Sequence, residues 1–216
     1  MRTGRLLLLV LATFVFLFSR SVAHAQTPSA LVLEKRGVSV PDFQPYTEIP
    51  TGMTISLSPK ASLVFQHYHT CRTVTVTGGK VTFKAETYTI SGGTKEREIK
   101  TPCPRTVRLK AGGESGGILM RGVSRPTFSA RPGFVVIGRR ARDFSLVRIS
   151  RGGTVLLEVP LDDRRFDWPA NAAPLAAGNG YKMFLIPKMA GKRAVTTKFR
   201  VMGTGEAKGL LLIRVD

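Results

Sequence analysis

The chain has 216 residues, of which 33 are Lys or Arg and 14 are Asp or Glu, a formal net charge of +19. Its 43% hydrophobic and 22% charged content excludes a wholly disordered chain, and two cysteines exclude a disulfide-dense miniprotein or a Cys-rich zinc module. No stretch reaches the roughly 20 apolar residues that a membrane-spanning helix needs.

The chain begins with an address. Arg2 and Arg5 precede an apolar run from Leu6 to Phe18. Ala23-His24-Ala25 then sets small residues on either side of His24, ahead of a cut before Gln26. Charge, apolar run and cleavage site together read as a secretory signal over residues 1–25. The expectation is a periplasmic or secreted protein with no transmembrane segment in the mature chain. Cleavage removes Arg2, Arg5 and Arg20 and no acid, which leaves 30 basic and 14 acidic residues, a net +16.

After the leader, period-two alternation dominates, and no helical stripe of useful length survives. Strands are expected over Ala30–Lys35, Thr54–Leu57, Ser62–Tyr68, Arg72–Thr77, Lys80–Ala85 and Val107–Lys110. In the second half they fall over Gly133–Ile137, Phe144–Ser150, Thr154–Val159, Tyr181–Ile186, Val195–Val201 and Gly209–Val215. Gly78-Gly79 reads as a two-residue hairpin turn that pairs Val76 with Val81 and Val74 with Phe83 on one apolar face. Glycine and proline crowd the chain between Ala111 and Arg131. The pattern gives an all-β fold with a first domain over 26–111, a linker over 112–131 and a second domain over 132–216.

Leu31–Phe83 carries an early strand ending at Gly37, then Gly52-Met53-x-Ile55, a turn at Pro59, and Ala61-x-Leu63-x-Phe65. Val74, Val76, Gly78 and Val81 follow. This stretch resembles the FecR-like periplasmic β-domain. The resemblance implies an envelope-sensor domain. The sequence has no cytoplasmic anti-sigma segment that would carry a signal inward. In the second half, Leu175-x-x-Gly178-x-x-Tyr181 is similar to the tyrosine corner of an immunoglobulin- or fibronectin-type β-sandwich. That resemblance implies a Tyr181 hydroxyl bonded to upstream backbone and a Leu175 side chain packed inside.

Three constellations carry candidate chemistry. Cys71 and Cys103 are the only cysteines, and in an oxidising compartment such a pair forms a disulfide. His67 and His69 lie two residues apart, and Cys71 continues the series. On a strand all three would point one way, the spacing of a copper or zinc chelate. The same cysteines cannot be both oxidised and ligands. Last, Arg139, Arg140 and Arg142, then Arg164 and Arg165, then Lys188, Lys192 and Arg193 cluster in expected turns. Their surplus of charge attracts polyanions over a Debye length of about 10 Å. Solubility charge spread over all faces is the plainer reading. No Gly-x-Ser-x-Gly elbow is present, and Asp162-Asp163 and Asp167 sit among arginines, as in a solvated turn.

The sequence therefore points to an exported, non-catalytic envelope binding or scaffolding protein, its partner an envelope protein or an anionic envelope polymer rather than nucleic acid. A periplasmic copper- or zinc-binding protein using His67 and His69 is the alternative; otherwise no cofactor is expected. Mass spectrometry of the exported protein is expected to show a chain beginning at Gln26, and retention of Met1 would overturn the secretion reading.

Overall fold

A computed structural model describes residues 27–109, 126–203 and 209–216. The leader over 1–25 and residues 112–125 of the linker lie outside the described residues. The protein is all-β. Among the described residues the only helical piece is a 3₁₀ turn at Ala141–Asp143.

The first unit comprises β1 (Pro28–Arg36), β2 (Ser39–Val40), β3 (Glu48–Pro50), β4 (Thr54–His67), β5 (Arg72–Phe83), β6 (Tyr88–Ser91) and β7 (Thr94–Lys100). They form one sheet in which β4 and β5 run antiparallel along their whole lengths. The hairpin expected at Gly78-Gly79 is overturned. β5 continues through both glycines, at φ 65° and 72°, and bends instead of reversing. Val74 pairs with Phe65 of β4, and Val81 with Ile55. The sequence pattern could not separate the two outcomes, because tandem left-handed glycines suit a primed turn and a sharp strand bend equally.

The bend is shared by neighbouring strands. β4 slips register between Leu57 and Ser62, opposite the two glycines. The chain from β6 to β7 bends at Gly92-Gly93, directly over them. A Cβ on Gly79 would lie 2.3 Å from Gly93 N, and one on Gly93 would lie 2.2 Å from Gly78 O. Backbone contacts backbone at this crease, so only glycine fits. Folding along it brings Ile55, Leu57, Val81 and Phe83 over Leu63, Phe65, Val74 and Val76 in one core.

The second unit has two sheets. One, in the order β13-β10-β16-β8, contains β8 (Arg105–Leu109), β10 (Phe134–Ile137), β13 (Arg165–Phe166) and β16 (Leu211–Val215). The other, in the order β12-β11-β14-β15-β9, contains β9 (Thr127–Phe128), β11 (Phe144–Arg151), β12 (Thr154–Pro160), β14 (Gly178–Pro187) and β15 (Val195–Val201). The two sheets face each other across a core that holds Phe134, Phe144, Phe166, Tyr181 and Phe199. β8 lies within residues 26–111, yet it pairs with β16 in parallel. The sequence boundary is corrected to the extent that the chain enters the second unit at Arg105. The physical reason is that β8 completes a non-local sheet with a strand about a hundred residues away in sequence, a pairing that composition does not register.

The Tyr181 hydroxyl donates to the Ala176 carbonyl at 2.8 Å, and Leu175 is buried beside it. Arg151 stacks over the Tyr181 ring. The disulfide forms between Cys71 and Cys103, with Cα atoms 4.7 Å apart. Thr101 N–H donates to Cys71 O beside it, and Gln66 Nε2 donates to Thr101 and Pro102. These contacts anchor the chain to the first unit just before it crosses into β8.

Both units present apolar residues outward where they meet. Leu31 on β1, Val135 and Ile137 on β10 and Leu212 on β16 are fully or almost fully buried in a third cluster, flanked by Leu33, Tyr46, Tyr68 and Leu210. β10 is thereby buried on both faces. Replacing Gly93 with Ala should cost about 3 kcal/mol, the upper end of overpacking penalties, because its Cβ meets backbone that cannot yield. Urea denaturation checks this, and a loss under about 0.5 kcal/mol would show that the crease does not need glycine.

Candidate anion-binding site

Apolar contact closes the middle of the seam between the units, and polar residues close its rim. Glu48, at the start of β3, accepts from Arg214 of β16 through both carboxylate oxygens. The Tyr68 hydroxyl donates to the same carboxylate at 3.0 Å. Burial and Glu48 together push the Tyr68 hydroxyl far above its ordinary value, so it is a permanent donor. Arg164 reaches across the seam as well and donates to the carbonyls of Pro45 and Tyr46. Arg142 donates to the Gln44 side chain.

Beside this rim opens a cleft of about 740 Å³, lined by Tyr46, Thr47, Glu48 and Asp216 with Arg139, Arg142, Arg164 and Arg214. Four guanidinium groups thus face two carboxylates. Both carboxylates are engaged by one arginine, since Arg214 pairs with Glu48 and lies 3.8 Å from Asp216. Arg139 is exposed and has no partner among the described residues.

Arg164 is held at a cost. Its side chain is only 8% exposed, and its Nε has no hydrogen-bond acceptor, with the nearest carboxylate oxygen, of Asp163, at 3.8 Å. Burial lowers its pKa, Asp163 opposes that, and the neighbouring Arg142 cation lowers it further. The backbone is also unusual here. Of the four non-glycine residues with left-handed φ among the described residues, Tyr46, Asp163 and Arg164 form the two sides of this contact. Each such conformation costs about 1–3 kcal/mol and persists only where its surroundings impose it.

The chain matches no family model, no curated protein and no solved structure. The site is therefore read from its geometry alone.

Of the basic residues singled out in the sequence, Arg139, Arg142 and Arg164 line the cleft. The Lys188–Arg193 loop sits next to it. Lys188 N–H donates to Asp143 O at 2.7 Å, and Lys192 Nζ lies 3.8 Å from the Asp143 carboxylate, one residue beyond Arg142. Arg140 and Arg165 do not join them. Arg140 lies over the Phe144 ring and against Asp143. Arg165 makes a two-pronged bond to Asp167 at 2.7 and 3.1 Å and borders a second cleft of about 460 Å³ on the other side of Tyr46. Arg214, Glu48 and Tyr46 were missed. The signal for Arg214 was a lone charge inside the apolar strand Leu211–Val215, on the same parity as Leu212.

The shared-face reading of His67, His69 and Cys71 is corrected. β4 ends at His67, and the chain turns through Tyr68–Cys71, so the period-two argument does not extend to His69. His67 is fully buried, with both ring nitrogens in use. Nε2 donates to Lys84 O at 3.1 Å, and Nδ1 accepts from Thr70 N–H at 3.3 Å. Cys71 is consumed in the disulfide.

Burial holds His67 below its ordinary pKa of 6.5, against the opposing pull of the Lys84 carbonyl. The unfolded chain therefore takes up this proton more readily than the folded one. The neutral ring favours folding above pH 6.5, and that contribution is lost as pH falls below it. Thermal melts between about pH 7.5 and 5 should show falling stability, and the His67→Gln variant should show a shallower fall. Identical slopes would mean that His67 does not titrate in this window.

Proposed function

We propose that this is an exported, non-catalytic envelope protein that binds an anionic envelope polymer in the cleft between its two β units. The observation that carries the reading is the convergence of Arg139, Arg142, Arg164 and Arg214 on one concave surface whose two carboxylates are already engaged by Arg214. The adjoining Lys188–Arg193 loop extends the positive surface. Concave walls of low polarisability focus such a field and raise the local concentration of a polyanion. Arginine suits this role because its planar fork bonds carboxylate and phosphate oxygens in pairs.

The Cys71–Cys103 disulfide supports an oxidising compartment, in line with the leader over 1–25. In this reading the first unit is FecR-like, and the second is an immunoglobulin-like sandwich. The Tyr181–Ala176 hydrogen bond and the buried Leu175 support the latter, since they are the contacts the tyrosine-corner resemblance implies. The FecR-like unit then acts as a docking partner for the second unit and supplies the Tyr46–Glu48 wall of the site. The non-catalytic reading draws support from His67, whose ring nitrogens are both committed to the fold.

Binding to anionic vesicles or lipopolysaccharide should be measurable at about 20 mM salt and should weaken steeply by about 300 mM, as screening shortens the reach of exposed charge. The variant Arg139→Ser/Arg140→Ser/Arg142→Ser is expected to weaken it at least about tenfold. Absence of binding at low salt sinks the proposal. Salt-sensitive binding that ignores the triple change reduces it to diffuse attraction without a site.

A further inference from the structure

We infer that the outer face of the β12-β11-β14-β15-β9 sheet seats the protein on an anionic lipid bilayer. This surface shares no residue with the cleft. The first unit docks on β10 and β16 of the other sheet, which leaves the outer face of this one uncovered.

The apolar pattern is the first observation. A sheet face that meets water alternates polar residues with the apolar ones beneath. β14 instead runs Met183-Phe184-Leu185-Ile186. Met183 and Leu185 fill the core, and Phe184 and Ile186 lie half-buried on the outside. β10 has the same unbroken apolar run, and there the first unit covers the outer residues. Register sets Leu146 beside Ile186 and so widens the stripe. At the sheet edge, β12 slips register against Ile149 and Ser150. The extra residue of such a bulge lets two neighbours in sequence face outward. Val155 and Leu156 are accordingly 51% and 47% exposed.

Charge is the second. The strands of this sheet contain one acid, Glu158, and it pairs with Arg148. Lys182 and Lys198 are register partners on the outer face, and Arg200 repeats the outward parity of Lys198. Among the described residues none of these three cations pairs with a carboxylate. The face therefore asks for an occupant that is both apolar and anionic. A second copy fails, because self-association would set like charges against each other with no free carboxylate between them. A soluble polyanion would answer the cations and leave Val155, Leu156 and Phe184 in water. An anionic bilayer answers both, since its headgroups attract Lys and Arg and its acyl boundary receives apolar side chains.

The test mixes the full exported protein at about 100 mM salt with vesicles of phosphatidylethanolamine and phosphatidylglycerol, or of phosphatidylcholine alone, and reads bound protein by co-sedimentation. Binding is expected to the anionic vesicles only. Lys198→Gln/Arg200→Gln should weaken it about thirtyfold, at roughly fivefold per charge. Val155→Ser/Leu156→Ser should weaken it at least about tenfold. Arg97→Gln, on the outer strand β7, should leave it unchanged. The substituted positions are all exposed, and coincident thermal melts confirm that the variants fold. Leu156→Trp adds a depth probe. Brominated acyl chains should quench its added fluorescence and leave wild type unquenched, since Trp168 follows β13 of the opposite sheet.

Vesicle binding that ignores both face variants overturns the inference, as does a lack of quenching in Leu156→Trp. A wild-type dimer that either face variant dissociates assigns the face to a second copy and also overturns it. The cleft is judged separately through Arg139→Ser/Arg140→Ser/Arg142→Ser. Vesicle binding lost in that variant and kept in both face variants places the lipid in the cleft and overturns this inference alone. Vesicle binding that falls in the face variants and survives the triple change supports it. If lipopolysaccharide binding also survives the triple change, the cleft reading falls alone.

Discussion

The seam between the two β units is the constraint on which the rest of the protein depends. Leu31, Val135, Ile137 and Leu212 are apolar residues on the outward parity of their strands. Each would face water if its unit stood alone. Burying a branched aliphatic side chain contributes about 1.5–3 kcal/mol, so the four together contribute about 6–12 kcal/mol toward holding the two units against each other. The consequence is geometric as well as energetic. A tight seam fixes Tyr46 and Glu48 of one unit against Arg164 and Arg214 of the other, and the arginine cleft exists only because that relation is held.

Two local devices feed this seam. The glycine crease folds the long β4–β5 ladder over its own core, which leaves Leu31 and Leu33 of β1 on the outer surface for docking. The disulfide secures the departing chain at Cys103, two residues before β8 begins to pair with β16. A covalent tie at the point of crossing limits how far the second unit can swing. Loss of slack in the connection raises the effective concentration of one seam surface near the other. The buried Glu48–Arg214 pair contributes more to specificity than to raw stability. Desolvation offsets much of the attraction in such a pair, while a misaligned seam would strand either charge unpaired.

Electrostatics explains why the site lies at this rim. The interior of the seam is apolar and cannot accommodate a net charge, whereas its edge has both protein walls and access to water. Arg164 straddles that boundary. Its Nη atoms satisfy the Pro45 and Tyr46 carbonyls, which have no strand partners to bond, and its charge remains available to the cleft. Left-handed backbone at Tyr46, Asp163 and Arg164 aims those carbonyls and that guanidinium at each other. The same groups thus close the seam and shape the site.

The sequence alone determined the all-β class and the disulfide, and it marked eight basic residues of which three line the cleft. Each of these follows from local pattern or residue chemistry: alternation marks strands, an isolated pair of cysteines marks an oxidised bridge, and charged turns mark solvent. Val74, Val76, Val81 and Phe83 were assigned to one buried face correctly, although the glycines between them bend a strand rather than end it. The shared-face reading of His67, His69 and Cys71 failed because strand periodicity stops where the strand stops, and residue spacing does not reveal that end. Only the tertiary structure decided that β8 pairs with β16, that Arg214 faces Glu48 across 166 residues of chain, and that Arg165 turns away while Arg164 turns in. These outcomes depend on which outward faces meet. That choice is made by non-local packing of whole sheets, and no window of neighbouring residues contains it.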